Sequence, residues 1–139
     1  MNRRLFFTLL AAPMLLVSAL PAADQRPTAA SAEVWARTEL YFGTNKPDNT
    51  EVTDTQFQDF IDHEVTTRFP DGLTLLTGNG QFRNSAGVLI REKAHILILF
   101  YPVQTQDANK KIQDIRGAYK RYFAQESVLR ADSFSLISF

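Results

Sequence analysis

Two faces separate cleanly along residues 34–43. Ala36, Thr38, Leu40 and Phe42 fall on one side of an extended chain, and Trp35, Arg37, Glu39 and Tyr41 on the other. The spacing predicts a strand, followed by a polar loop over 44–50 that contains Pro47. The period then changes. Phe57, Phe60, Ile61 and Val65 make one apolar stripe at helical spacing, which predicts a helix over 53–68. Thr53 and Gln56 fit a capping box at its start. Pro70 disfavours helix at Phe69, and Asp71-Gly72 supplies a turn.

A second strand is predicted over 73–83, with Gly78 and Gly80 suggesting a bulge or sharp bend. Asn84-Ser85-Ala86-Gly87 reads as a hairpin turn. The third strand, over 88–101, ends in Ile96-Leu97-Ile98-Leu99-Phe100-Tyr101 and is apolar on both faces. We assign Ala94, Ile96, Ile98 and Phe100 to its helix-covered side, and Lys93, His95, Leu97, Leu99 and Tyr101 to its open side. A second helix is predicted over 107–125, with Asp107 as its cap and Ile112, Ile115, Tyr119, Tyr122 and Phe123 as its stripe. Residues 128–139 form a last strand. The order strand-helix-strand, strand-helix-strand gives a ferredoxin-like α+β sandwich: a four-stranded antiparallel sheet with two helices on one face. Its first and third strands are the central pair. The open face then carries Trp35, Arg37, Glu39 and Tyr41 beside the third strand, an apolar surface of the kind that marks an interface or a pocket.

The first 23 residues follow a different logic. A basic start at Arg3-Arg4 precedes an apolar run over 5–16, and small residues at 17–19 and 21–23 suit a signal peptidase. We read 1–23 as a secretory signal, 24–33 as a linker and 34–139 as one domain. The apolar run is too short for a permanent anchor, so no membrane anchor is expected after cleavage. The expected location is periplasmic or secreted. The chain contains no cysteine, which excludes disulfides, thiolate metal sites and cysteine nucleophiles. Cleavage after Ala23 removes two of 15 basic residues and none of 15 acidic ones, leaving a formal charge of −2. No basic block remains, so nucleic acid is not an expected partner.

Few residues carry candidate chemistry. His95, placed by this reading near Glu39, Arg37 and Tyr41, has the neighbours of a general base; the alternative is an imidazole tucked against a carboxylate on a half-buried sheet. Asp59 and His63 lie one helical turn apart, as in a two-ligand metal site, but opposite the apolar stripe. A solvated polar face explains them better, and neither metal nor cofactor is expected. Gly78-Asn79-Gly80 leads into a hairpin rather than a helix N-terminus, so it is not a phosphate loop. Lys110, Lys111, Lys120 and Arg121 read as a solvated helix face.

Several segments together carry a resemblance. Leu40-Tyr41-Phe42-Gly43, residues 68–74 (Arg-Phe-Pro-Asp-Gly-Leu-Thr), Gly80-Gln81-Phe82-Arg83, Arg91-Glu92 and residues 125–129 look like the bacterial domain of unknown function 3574 family. The resemblance implies a small exported α+β domain and no assigned activity. It also draws attention to Arg83, Arg91, Glu92, Gln125, Glu126 and Ser127. His95 stands where the family often has lysine, which weakens the general-base reading. Arg83 and Arg91 flank the hairpin; with Arg37, and with Glu92, Glu126 and Tyr41 nearby, they suggest a clamp for a small anionic molecule. The alternative is an ion-pair network pinning the hairpin to the last helix-strand junction.

Two functional readings follow. The first is a non-catalytic domain that forms a homodimer through its open sheet face and binds a small anionic ligand. The second is a cofactor-independent enzyme with proton-transfer chemistry on that face. The export route yields a separate prediction. Arg3-Arg4-Leu5-Phe6-Phe7 resembles a twin-arginine signal, but Thr8 replaces its usual lysine. Replacing Arg3 and Arg4 together by lysine should leave export unchanged, measured as the periplasmic fraction of the protein. Blocked export would assign the twin-arginine route instead.

Overall fold

The computed structural model describes residues 32–83 and 86–139. The expected signal, most of the linker, and Asn84 and Ser85 of the hairpin turn lie outside the described residues. Four strands are present: β1 (Glu33–Gly43), β2 (Thr74–Arg83), β3 (Leu89–Pro102) and β4 (Leu129–Ile137). They form one antiparallel sheet in the order β2-β3-β1-β4. The helices are α1 (Asp54–Phe60), which continues into a π-helical turn over Ile61–Val65, and α2 (Ala108–Phe123). This is the ferredoxin-like α+β sandwich expected from the pattern. Among the described residues no helix is long and apolar enough to cross a membrane.

Local chemistry sets the helix starts differently. Thr53 and Gln56 make both halves of the capping box at α1. Asp107 does not cap α2. It takes a left-handed conformation with φ of 58°, and its side chain makes no cap bond. The π turn widens the end of α1, and Phe60, Ile61 and Val65 all stay buried.

The core fills the space between the helices and one sheet face. Leu40 and Phe42 of β1 and Leu97 and Leu99 of β3 meet Phe57, Phe60 and Val65 from α1 and Ile112, Ile115 and Tyr119 from α2. The Phe42 ring lies 4.6 Å from Tyr119 and 5.5 Å from Phe57. Tyr122, expected in the α2 stripe, is instead exposed and donates to Glu64 at 2.7 Å.

The register of β1 on β3 corrects the facing of β3. Leu40 pairs with Leu97 and Phe42 with His95. His95, Leu97, Leu99 and Tyr101 therefore share the helix side with Leu40 and Phe42, and Ile96, Ile98 and Phe100 take the open side. A strand apolar on both faces has no alternation to reveal which set turns inward. Gly78 and Gly80 likewise do not bend β2. Its pairing runs unbroken through Gly78↔Ala94 and Gly80↔Glu92, and a Cβ at Gly78 would sit 3.3 Å from Ile96 Cδ1. Gly78 makes room for a neighbour.

Phe42 stands at the centre of this packing, touching both helices. Phe42→Ala should cost about 3–5 kcal/mol by transfer and cavity terms. A lower denaturation midpoint at unchanged slope checks it.

Candidate functional site

The residues singled out from sequence do not converge. Arg37, Glu39 and Tyr41 form a ladder along the open face of β1. Arg37 Nη2 lies 2.6 Å from Glu39 Oε1, Tyr41 donates to the same carboxylate, and the Arg37 guanidinium lies over Phe100. The bond from Tyr41 holds the Glu39 carboxyl below its ordinary pKa, with burial opposing and Arg37 adding. The same bond raises Tyr41. An ionised, doubly partnered Glu39 is a weak base.

His95 is on the other side of the sheet. Its ring stacks on Phe57 at 4.0 Å, it is buried, and Nε2 has no hydrogen-bond partner. Asp54 Oδ1 stands 3.6 Å from Nε2, and Lys93 bonds to that same oxygen. His95 is thus separated from Glu39 and Tyr41 by the sheet itself. Burial lowers its pKa, Lys93 adds to the effect, and Asp54 opposes it.

The arginines flanking the hairpin bind locally. Arg91 donates to Gln81 at 2.9 Å, and Arg83 to the Gly87 carbonyl at 3.0 Å. They do not face each other: Arg91 pairs with Gln81 and Arg83 with Leu89. Glu92 has a different task. Its Oε2 accepts the Asn45 N–H at 3.0 Å, while Gln125 donates to the Asn45 carbonyl at 2.8 Å. Together they hold the connection between β1 and α1. Gly43 permits this, because a Cβ there would lie 2.7 Å from Glu92 Oε1. Glu126 is exposed on the connection from α2 to β4. Asp59 and His63 join only through the Asp59 carbonyl, which lies 2.8 Å from His63 Nδ1. Among the described residues no group of three metal-ligating side chains forms.

A cleft that the sequence pattern did not indicate brings other polar groups together. It has a volume of about 570 Å³ and opens on the helix side of the sheet, between β4 and the start of α2. Its floor holds a chain of bonds. Thr38, fully buried in β1, donates to Asp132 Oδ1 at 2.6 Å and lies 2.9 Å from the Tyr101 hydroxyl. Asp132 pairs with Arg130 at 2.9 Å, and Arg130 Nη1 donates to Asn109 Oδ1 at 2.7 Å. Ala36, Val103 and Phe134 add apolar wall. A more polar hollow of about 590 Å³ adjoins it, sharing Asn109, Arg130 and Asp132 and adding Arg116 and Ser127. Both volumes suit a small molecule. Burial pushes the Asp132 carboxyl up, but bonds from Thr38 and Arg130, with the Arg130 charge, outweigh it and hold it below its usual value. The sequence did carry a signal. Thr38 is a hydroxyl on the inward face of a strand, and such a group requires a buried partner.

These two titrations give separate tests on the acid limb of the stability profile, at two different pH values. Folded His95 takes up its proton later than the unfolded chain, so stability declines as pH falls below about 6.5. Asp132 contributes stability above about pH 3.9 that is lost as pH falls through its lower folded value. In melting temperature against pH, His95→Phe should flatten the upper decline and Asp132→Asn the lower one. Unchanged profiles in both would contradict these assignments.

Residues 37–139 match the model of a family described as protein of unknown function (DUF3574). No curated protein matches the chain. Among solved structures, a phage SAM lyase in complex with S-methyl-5'-thioadenosine is 17% identical with a TM-score of 0.59, covering 76% of this chain and 90% of that one. A phage SAM lyase in the apo state is 18% identical with a TM-score of 0.54, covering 83% and 94%. CutA from Synechococcus elongatus is 9% identical with a TM-score of 0.49, covering 78% and 87%. The likeness to the lyases is one of fold.

Proposed function

The chain belongs to the DUF3574 family, and we propose that it is an exported, non-catalytic domain that binds a small molecule carrying an anionic group. The observation that carries this reading is the cleft beside α2, where Arg130 is held in place by Asp132 and Asn109 above a buried hydroxyl. A pre-oriented guanidinium costs little further ordering on binding. Export rests on the three-part layout of residues 1–23.

The open sheet face supplies the second half of the proposal. Ile96, Ile98 and Phe100 share it with Trp35 and Leu76, and no helix among the described residues covers it. We assign this face to pairing with a second copy. Arg37 and Glu39 already neutralise each other along β1, so covering the face leaves neither charge unpaired.

Native mass spectrometry of protein recovered from the periplasm tests both halves. The expected species is a dimer with a bound small molecule. Asn109→Trp, which fills the cleft from an exposed position, should lose the molecule and keep the dimer. Ile98→Glu should do the reverse. An unliganded wild type that also ignores a panel of small carboxylic acids and amino acids would overturn the binding reading, and a monomer at micromolar concentration the pairing reading.

A further inference from the structure

We infer that the cleft beside α2 takes a small zwitterion with an apolar side group, the chemistry of an apolar α-amino acid; this rests on the cleft being a binding site. The direction of its hydrogen bonds decides one half of the inference. A threonine hydroxyl has one proton, and a carboxylate only accepts. At 2.6 Å, the Thr38 proton is committed to Asp132 Oδ1. The Tyr101 hydroxyl, 2.9 Å from Thr38 Oγ1, must then be the donor in that contact. Its remaining lone pairs are acceptors, as is the half-exposed Asp132 carboxylate. The floor therefore accepts and does not donate, and it suits an ammonium group.

The opposite requirement stands beside it. Arg130 spends Nε on Asp132 and Nη1 on Asn109, and Nη2 has no protein partner among the described residues. The same wall holds Asp107, whose side chain leaves the first N–H groups of α2 uncapped. A carboxylate fits the free Nη2 of Arg130. A purely anionic ligand would meet Asp132 and Asp107, and a purely cationic one would meet Arg130. A zwitterion offers each charge its opposite.

The third element is apolar. Phe134 is 76% exposed and Val103 50%, and both line the cleft with Ala36 and Ala108. An aliphatic or aromatic side group of the ligand would cover them.

Isothermal titration with matched probes tests the class. Phenylalanine and leucine are each compared with the amine and the carboxylic acid that share their side group. The amino acid should bind about tenfold more tightly than either analogue, since each removes one charge-assisted contact. Asp132→Asn should reduce the amino acid to the affinity of the acid, and Arg130→Gln to that of the amine, with melting curves confirming that both variants fold. An amine or acid that binds best overturns the zwitterion and leaves the cleft a binding site. Failure of all probes, while a copurified molecule is still lost in Asn109→Trp, also overturns the zwitterion alone. Failure of all probes with no copurified molecule overturns both readings.

Discussion

The pairing of β1 with β3 is the constraint on which the rest depends. It brings Leu40 against Leu97 and Phe42 against His95, and so decides which half of each central strand faces the helices. A shift of one residue would exchange the two faces of β3. Leu97 and Leu99 would leave the core, and Tyr101 would leave the floor of the cleft. The same register places Thr38 opposite Leu99 on one side and Asp132 on the other. The bond from the buried Thr38 hydroxyl to Asp132 is thus a product of strand pairing, and it ties the edge strand β4 to the centre of the sheet.

A second lock works at the other end of β1. Tyr119 donates to the Gly43 carbonyl at 2.9 Å, Glu92 closes over the Cα of Gly43, and Asn45 is held from both sides by Glu92 and Gln125. Burial raises the Tyr119 hydroxyl pKa, so it remains a donor throughout the physiological range. This arrangement gives a physical account of several residues that carry the family resemblance. Gly43, Glu92 and Gln125, which carry part of that resemblance, together hold the connection that leaves β1.

The legibility of this fold from sequence follows from where information is local. The capping box of Thr53 and Gln56 was readable because both partners lie within four residues. Element order was readable because β1 and both helices carry their own periods and β3 ends in an unbroken run of strand-forming residues. The facing of β3 was not, because Ile96 to Phe100 is apolar at every position and only its partner strand distinguishes the two sets. The cleft was hidden for a related reason. Thr38, Tyr101 and Asp132 are far apart in sequence and meet only through two different strand pairings. Their residue types match no motif, whereas the eye-catching His95 is a core residue stacked on Phe57.

The two sides of the sheet therefore carry different kinds of unfinished surface. On the open side half-buried apolar groups are spread along three strands and crossed by the Arg37–Glu39–Tyr41 ladder, in which every charge already has a partner. Such a surface gains mainly by being covered broadly. On the helix side the exposed apolar groups are concentrated at one end, where α2 begins and does not reach over Phe134. There the polar groups are fixed in direction by a buried hydroxyl and retain unused bonding capacity. A broad apolar face suits a protein partner, and a narrow directional one suits a small molecule. With no cysteine to staple it, the domain depends on the Phe42–Tyr119 core to keep both surfaces in register.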